Sequence, residues 1–268
     1  MKTVISAIIL AKDSETTIEK TLQSLTWCDE LIVIDDDSSD GTVLLAKKAG
    51  ATVYIHKSND DFAAQRNWAM EKAKGEWILF VDSDEVVSSE LASEISSVIP
   101  AAEPGSSQIK TWIPGQARND NVINGYYVKR RDYLFGRWLK HGETSRVRLL
   151  RLAKKGSGKW IRPVHEVWNV RGETGELSHP ILHYPHPNVA QFIEVINRYS
   201  TLNARYLKSQ GIHASWWHII VYPKAKFFMD YIWYFGFLDG TPGAVVAIMM
   251  SFHSFLTRAK LYLLWKKT

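Results

Sequence analysis

Asp82 and Asp84 stand one residue apart at the end of the apolar run 77–81. Further carboxylates, Asp13 and the triplet Asp35-Asp36-Asp37, follow the apolar runs 4–11 and 31–34. Acids at i and i+2 point the same way on an extended chain and converge where the chain turns sharply. Asp82 and Asp84 could therefore share one divalent cation, its remaining positions filled by oxygens of a bound diphosphate. Mg²⁺ or Mn²⁺ fits that oxygen-rich chemistry, and the scarcity of nearby Cys and His argues against zinc. The competing reading is that Asp84 caps a helix at 88–98.

The elements that must position these acids follow from hydrophobic patterning. Runs 4–11, 31–34, 52–55 and 77–81 are short and continuously apolar, as strands buried on both faces are. Between them Ile18, Leu22 and Leu25 recur at helical spacing. The turn Ser39-Asp40-Gly41-Thr42 opens a helix through Lys48 with Gly50 as its stop, and 61–74 forms a helix closed by Gly75. This alternation predicts an α/β fold, a mostly parallel sheet with helices on both faces. Such sheets bind ligands outside the carboxyl ends of their strands, where Asp13, Asp35/Asp36 and Asp82/Asp84 fall. Residues 100–122 hold two Pro-bounded loops without a sustained period and are expected to form an inserted surface loop, tolerated because loop-closure entropy grows slowly with length. Strand-like stretches follow at 125–129, 147–152 and 181–184, then a helix at 189–208.

With 268 residues, 46% hydrophobic and 23% charged, the chain can bury a sizeable core, and disorder and coiled coil are excluded. The single Cys28 excludes a disulfide scaffold and fits a reducing compartment. Residues 1–11 run straight into the βα pattern without a cleavage site, so no secretory leader is expected. The formal charge of +5 is unevenly spread: residues 1–100 carry 9 Lys/Arg against 18 Asp/Glu, whereas 129–171 carry 13 against 3. An acidic front followed by a basic block suggests a metal or polar-ligand site beside an anion-binding surface. Nucleic acid is not expected, because no helix-turn-helix, zinc-finger or ribonucleoprotein pattern accompanies the basic residues.

Four blocks carry a family resemblance: Ile8-Ile9-Leu10-Ala11-Lys12-Asp13; Val33-Ile34-Asp35-Asp36-Asp37-Ser38-Ser39-Asp40-Gly41-Thr42; Gln65-Arg66-Asn67-Trp68-Ala69; and Gly75-Glu76-Trp77-Ile78-Leu79-Phe80-Val81-Asp82-Ser83-Asp84-Glu85. In order and spacing they resemble family 2 glycosyltransferases with the Rossmann-like GT-A fold. Val164-His165-Glu166, Leu182-His183-Tyr184 and Asn197-Arg198-Tyr199 are similar to the subgroup of lipopolysaccharide-core β-glucosyltransferases. The resemblance implies that Asp13 and Asp35 or Asp36 hold the base and ribose of a nucleotide sugar, UDP-glucose being the expected donor. It implies that Arg66 lies near the diphosphate and that Asp82 and Asp84 bind ribose and metal. Asp37 stands where the family has a small residue, which leaves open which acid of the triplet meets the nucleotide.

Family 2 resemblance further implies inversion by single displacement, an acceptor hydroxyl attacking the anomeric carbon as the nucleoside diphosphate leaves. A hydroxyl is a poor nucleophile at neutral pH, so a carboxylate should take its proton. Glu166, in a stretch otherwise dominated by Lys and Arg, is the first candidate base, with a salt bridge to Arg162 or Arg171 as the alternative role. Glu85 is the second candidate. His183 matches a downstream histidine that contacts metal or diphosphate in many GT-A enzymes. Arg146, Arg148 and Arg162 are candidates for a phosphorylated acceptor, although Arg146 and Arg148 cannot share a strand face with Arg151.

Ten of the 23 residues from 216 to 238 are Trp, Tyr or Phe, and Lys224 and Lys226 lie among them. Aromatics beside cations suit a lipid–water interface. The uncharged stretch 240–257 is interrupted by Gly, Pro, Ser and His and is marginal as a span. The expectation is a catalytic domain over 1–210 and a segment 211–268 of amphipathic helices lying on the cytoplasmic face of the inner membrane. The function expected is transfer of a sugar to a membrane-linked glycolipid, the lipopolysaccharide inner core. A polyprenyl-phosphate acceptor and a non-catalytic nucleotide-sugar-binding scaffold are the rival readings.

Overall fold

The computed structural model describes residues 5–99 and 123–266, so the expected inserted loop at 100–122 lies outside the described residues. The chain opens β1 (Ile5–Ala11), α1 (Ile18–Gln23), β2 (Glu30–Asp35), α2 (Thr42–Lys48), β3 (Thr52–Ile55), α3 (Phe62–Lys72), β4 (Trp77–Asp82), β5 (Glu85–Val86) and α4 (Ser89–Val98). It continues β6 (Ile123–Leu134), β7 (Arg137–Trp138), β8 (Arg148–Lys154), β9 (Gly158–Ile161), β10 (Val167–Val170), β11 (Glu173–Glu176) and β12 (Ile181–His183). Helices α5 (Val189–Ser209), α6 (Trp216–Phe227) and α7 (Gly240–Lys266) complete it. Strand order in the main sheet is β3-β2-β1-β4-β8-β6-β12-β5, with β11 and β7 also paired to β6. The first four positions are mutually parallel, as the βα alternation predicts, and β8 then enters antiparallel to both β4 and β6.

Alternation along β1 divides the core. Ile5, Ala7 and Ile9 face a cluster with Ile18, Leu22, Leu91 and Ile95 of α1 and α4, whereas Ile8 faces the other side with Ala63 and Ala69 of α3. That second side is roofed by the β9–β10 hairpin. Its Trp160 and Trp168 stack at 5.2 Å, and Phe80 of β4 meets both edge-on. Helix starts are set by short polar side chains: Asp61, Ser88 and Asn188 accept from the backbone N–H groups of Ala64, Leu91 and Gln191. The cap of α4 is thus Ser88, which corrects the alternative role considered for Asp84. Burial pushes the Cys28 thiol up to about 12, so it is an inert packing residue.

The C-terminal helices are docked through two carboxylates. Asp239 accepts from the amides of Lys140 and His141, and Asp230 accepts from the amide of Glu143. Along α7, Val246 packs with Leu134 and Phe192, and Leu261 with Ala204 of α5. No residue of α6 is fully buried, and Trp216 and Trp233 are 67% and 64% exposed. No single helix among the described residues is long and apolar enough to cross a membrane. Trp216–Trp233 and Gly236–Lys266 pass that test only as a pair bent by 68°.

One tether aligns the last strand of the sheet. Glu94 of α4 accepts from the backbone amides of Ser178 and His179, 2.7 and 2.9 Å away, just before β12. Burial opposes ionisation, but these amides and the His179 ring outweigh it and bring the Glu94 carboxyl from 4.5 down to about 2. A depressed folded-state value contributes stability above the unfolded value and loses it as pH falls towards the folded one. The stability difference between wild type and Glu94→Gln, measured by urea unfolding, should therefore shrink as pH falls from about 4.5 to 2. A constant difference would exclude this tether.

Candidate active site

Parallel registers bring the acids to one edge. Ala11 pairs with Asp35 and Leu10 with Asp82, so the chain leaves β1, β2 and β4 at the same level. Asp13, held at φ 46°, accepts from both the N–H and the hydroxyl of Ser39 and braces the two loops together. The triplet after β2 divides its tasks. Asp36 accepts from the amide and hydroxyl of Ser58, whereas Asp37 is exposed and pairs with Lys57 at 2.7 Å. Asp35 is buried and accepts from the Ser38 amide, but its Oδ1 has no partner among the described residues.

At the end of β4 lies a buried ion network. Arg66, from the inner face of α3, donates through Nη2 to Asp82 Oδ1 at 2.8 Å and through Nε to Glu166 Oε1 at 3.0 Å. Arg151, from β8, donates to Asp82 Oδ2 at 2.5 Å and Glu85 Oε1 at 2.7 Å. Glu85 is fully buried, and its second oxygen accepts from the Asp82 amide at 2.9 Å. Burial alone would raise the Asp82 carboxyl, but Arg151 and Arg66 overcome it and hold Asp82 well below the usual carboxylate range. At Glu85 burial dominates and pushes the carboxyl up against the pull of Arg151. The Arg66 guanidinium lies 4.7 Å from the Trp160 ring centre and 5.3 Å from that of Phe80, so the aromatic roof also fixes the cation.

His183 is placed by two registers. Strand β12 is parallel to β6 with His183 opposite Asp132, and antiparallel to β5 with His183 opposite Glu85. The imidazole is thus held between acids, Nδ1 at 2.8 Å from Asp132 Oδ1 and Nε2 at 3.3 Å from Asp84 Oδ2. Burial would lower its pKa, but Asp84 and Asp132 reverse that and bring it up to about 9. The Tyr184 amide donates to the Asp84 carbonyl at 2.9 Å, which ties the Asp84 turn to β12.

These contacts bear on a divalent cation. Asp84 Oδ2 and His183 Nε2 converge, and a carboxylate stands behind the other ring nitrogen, the arrangement that orients metal-binding imidazoles. Asp82, by contrast, is taken up by two guanidiniums. No group of three or more His, Cys, Asp or Glu that could hold a metal by itself occurs among the described residues. A Mg²⁺-like ion fits Asp84 and His183 if substrate oxygens and water supply its other ligands, which is how such ions commonly sit with phosphates.

Glu166 comes from the loop that joins β9 to β10. Arg162 and His165 in that loop have φ values of 70° and 55°, uncommon for non-glycine residues, and Pro163 accepts from the Phe62 amide. Glu166 pairs with Arg66, not with Arg162 or Arg171. Sequence reasoning missed three residues here. Arg151 was indistinguishable from its basic neighbours, of which Arg148 is exposed and paired with Glu176 while Arg146 sits in a 3-10 turn. Asp132 gave no motif. Tyr199, in a motif noted only for resemblance, has its hydroxyl pushed up to about 12 by burial and by Glu166 and Asp82. Because Arg151 is itself buried and compensates the fully enclosed Glu85 as well as the half-buried Asp82, Arg151→Met should cost about 3–5 kcal/mol in a denaturant titration. A loss below about 1 kcal/mol would show that the network does not hold this edge together.

Comparison with known proteins identifies the family. The family model described as Glycosyl transferase family 2 matches residues 6–153. The chain is 26% identical over 268 residues to the Lipopolysaccharide core biosynthesis glycosyltransferase LpsC of Rhizobium meliloti (strain 1021), spanning 97% of this chain and 93% of that protein. It is 29% identical to an uncharacterized glycosyltransferase of Rickettsia bellii (strain RML369-C), spanning 96% and 85%. Among solved structures, S. aureus TarS 1–349 in complex with UDP-GlcNAc is similar at a TM-score of 0.49 and 15% identity, over 98% of this chain and 92% of that one. With the family model spanning more than half of its length, the chain belongs to glycosyl transferase family 2.

Proposed function

We propose that the protein is an inverting hexosyltransferase that moves a sugar, with UDP-glucose as donor, to a membrane-linked glycolipid of the lipopolysaccharide inner core. The observation that carries this reading is the convergence at one sheet edge of the Asp84–His183 pair with the Arg66-linked pair Asp82 and Glu166. The similarity to LpsC, whose name assigns it to lipopolysaccharide core biosynthesis, supports the acceptor class. In this reading Asp13, Asp35 and Asp36 lie on the nucleoside side, and Asp82 and Arg66 lie between ribose and diphosphate. Asp84 and His183 would hold Mg²⁺ or Mn²⁺, which when bound offsets charge on the leaving diphosphate.

Glu166 is assigned as the base that accepts the acceptor hydroxyl's proton. Its side chain retains 18% exposure, whereas Glu85 is fully enclosed with both oxygens engaged. Arg66 positions the Glu166 carboxylate through its Nε bond. Purified protein given a panel of nucleotide sugars, Mg²⁺ or Mn²⁺, and deep-rough lipopolysaccharide should release nucleoside diphosphate from one donor in an acceptor-dependent way. Glu166→Gln should lower kcat roughly 10²–10⁴-fold, and Asp84→Asn should abolish transfer without unfolding the protein. Donor binding with no turnover on any acceptor would favour the non-catalytic reading, and turnover only on a polyprenyl phosphate would reassign the acceptor.

The location proposed is the cytoplasmic face of the inner membrane, with α6 and the turns after it against the lipid headgroups. Its support is the exposure of Trp216, Ile220, Trp233, Phe235 and Leu238 along α6 and the turns after it, since clustered exposed apolar side chains mark interaction or membrane surfaces. Because α7 packs against α5, substitution tests this better than truncation. Replacing Trp216, Trp217 and Trp233 together with Ser should release the protein from anionic vesicles in a flotation assay. Undiminished flotation would exclude this face.

A further inference from the structure

A second feature lies on the far side of His183 from the acids that follow β1 and β2. A cavity of about 520 Å³ opens between the sheet and the C-terminal helices. Asp132 and His183 line one wall, and Lys226, His253, Thr257 and Arg258 line the other. Helix α7 is two-faced here. Met250, His253, Ser254, Thr257 and Arg258 recur at i, i+3, i+4, i+7 and i+8 and all line the cavity. Ile248, Phe252 and Phe255, on the opposite side of the same helix, are exposed. The inward face of α7 thus sets polar groups between the buried Val246 and Leu261, whereas the outward face is apolar.

The charges that line this space do not cancel. Arg130 is paired with Asp132, and Lys226 with Glu143. Arg258 has no carboxylate partner among the described residues, and its guanidinium lies over the Tyr222 ring at 4.3 Å. The Thr257 hydroxyl, one turn from His253, is buried and has no partner among the described residues. Burial, aided by His165, Lys226 and Lys260, pushes His253 down to about 4, so this imidazole is uncharged at neutral pH.

We infer that this cavity is the acceptor subsite and that it recognises an oxyanion carried by the acceptor saccharide, with Arg258 as the recognising residue and Thr257 beside it. The inference rests on the transferase reading for its name as an acceptor site. The anion binding itself does not. A phosphate on a sugar and a sugar carboxylate offer the same chemistry to a guanidinium.

The test uses the full chain and delipidated inner-core saccharide in three forms: intact, dephosphorylated and carboxyl-reduced. By calorimetry Arg258→Ala should bind the intact saccharide roughly tenfold or more weakly than wild type, the loss expected of one charge-assisted contact. Arg258→Lys should recover part of that loss. In turnover assays Arg258→Ala should raise the acceptor KM more than it lowers kcat. Weakening on dephosphorylation names phosphate as the recognised group, and weakening on carboxyl reduction names a carboxylate. Equal affinity of wild type and Arg258→Ala for the intact saccharide, or equal affinity of wild type for all three forms, overturns the inference. Arg258-dependent binding without any wild-type turnover would overturn the transferase reading and leave this one standing.

Discussion

The fold depends most heavily on the compensation of Asp82. A carboxylate drawn even partly out of water at the end of a central parallel strand is costly, and here two nearly buried guanidiniums from different elements offset that cost. Each guanidinium also reaches a second acid, Arg66 to Glu166 and Arg151 to Glu85. One half-buried carboxylate thereby links α3, β4, β8 and the β9–β10 loop. The Trp160–Trp168 roof belongs to the same arrangement, because it covers the Arg66 cation and the Phe80 ring together. Packing and electrostatics are therefore not separable at this edge.

His183 shows how sheet register can do the work of a binding motif. A three-residue strand between β6 and β5 sets the ring between Asp132 and Asp84, and neither placement needs a local sequence signature. The Glu94 tether stabilises the approach to that strand from α4. The Asp84–His183–Asp132 cluster thus links the turn after β4 to the strands beyond β8. Asp13, Asp35 and Asp36 lie on the parallel side, and the cavity below α7 lies on the other.

How much was legible in the sequence follows from the range of each signal. The four parallel strands were legible because buried strands read as uninterrupted apolar runs, and their acidic ends followed directly. The α4 cap was less so, since Asp84 and Ser88 are both plausible caps and only the backbone decides between them. Arg151 could not be singled out, because three arginines within six residues look alike until the pairing of β8 with β4 is known. The hairpin that presents Glu166 was missed for a related reason: it is two short strands interrupted by Pro163, with no turn dipeptide to mark it. In α7 the polar residues interrupt an apolar run in sequence, whereas His253, Ser254, Thr257 and Arg258 share one side of the folded helix.

The antiparallel entry of β8 has a consequence for biosynthesis. Domains tend to fold from the N-terminus as they emerge from the ribosome. The βα units through β4 meet that tendency, since each strand has a parallel neighbour already made or made soon after it. Asp82 and Glu85, however, wait for Arg151, 69 and 66 residues later in the chain. Until β8 is inserted between β4 and β6, a nascent sheet must leave those two acids hydrated, and its central edge stays open. The nascent chain therefore passes through a stage in which the largely buried strand β4 has an unpaired side, and chaperone engagement should concentrate in the interval before Lys154 is released.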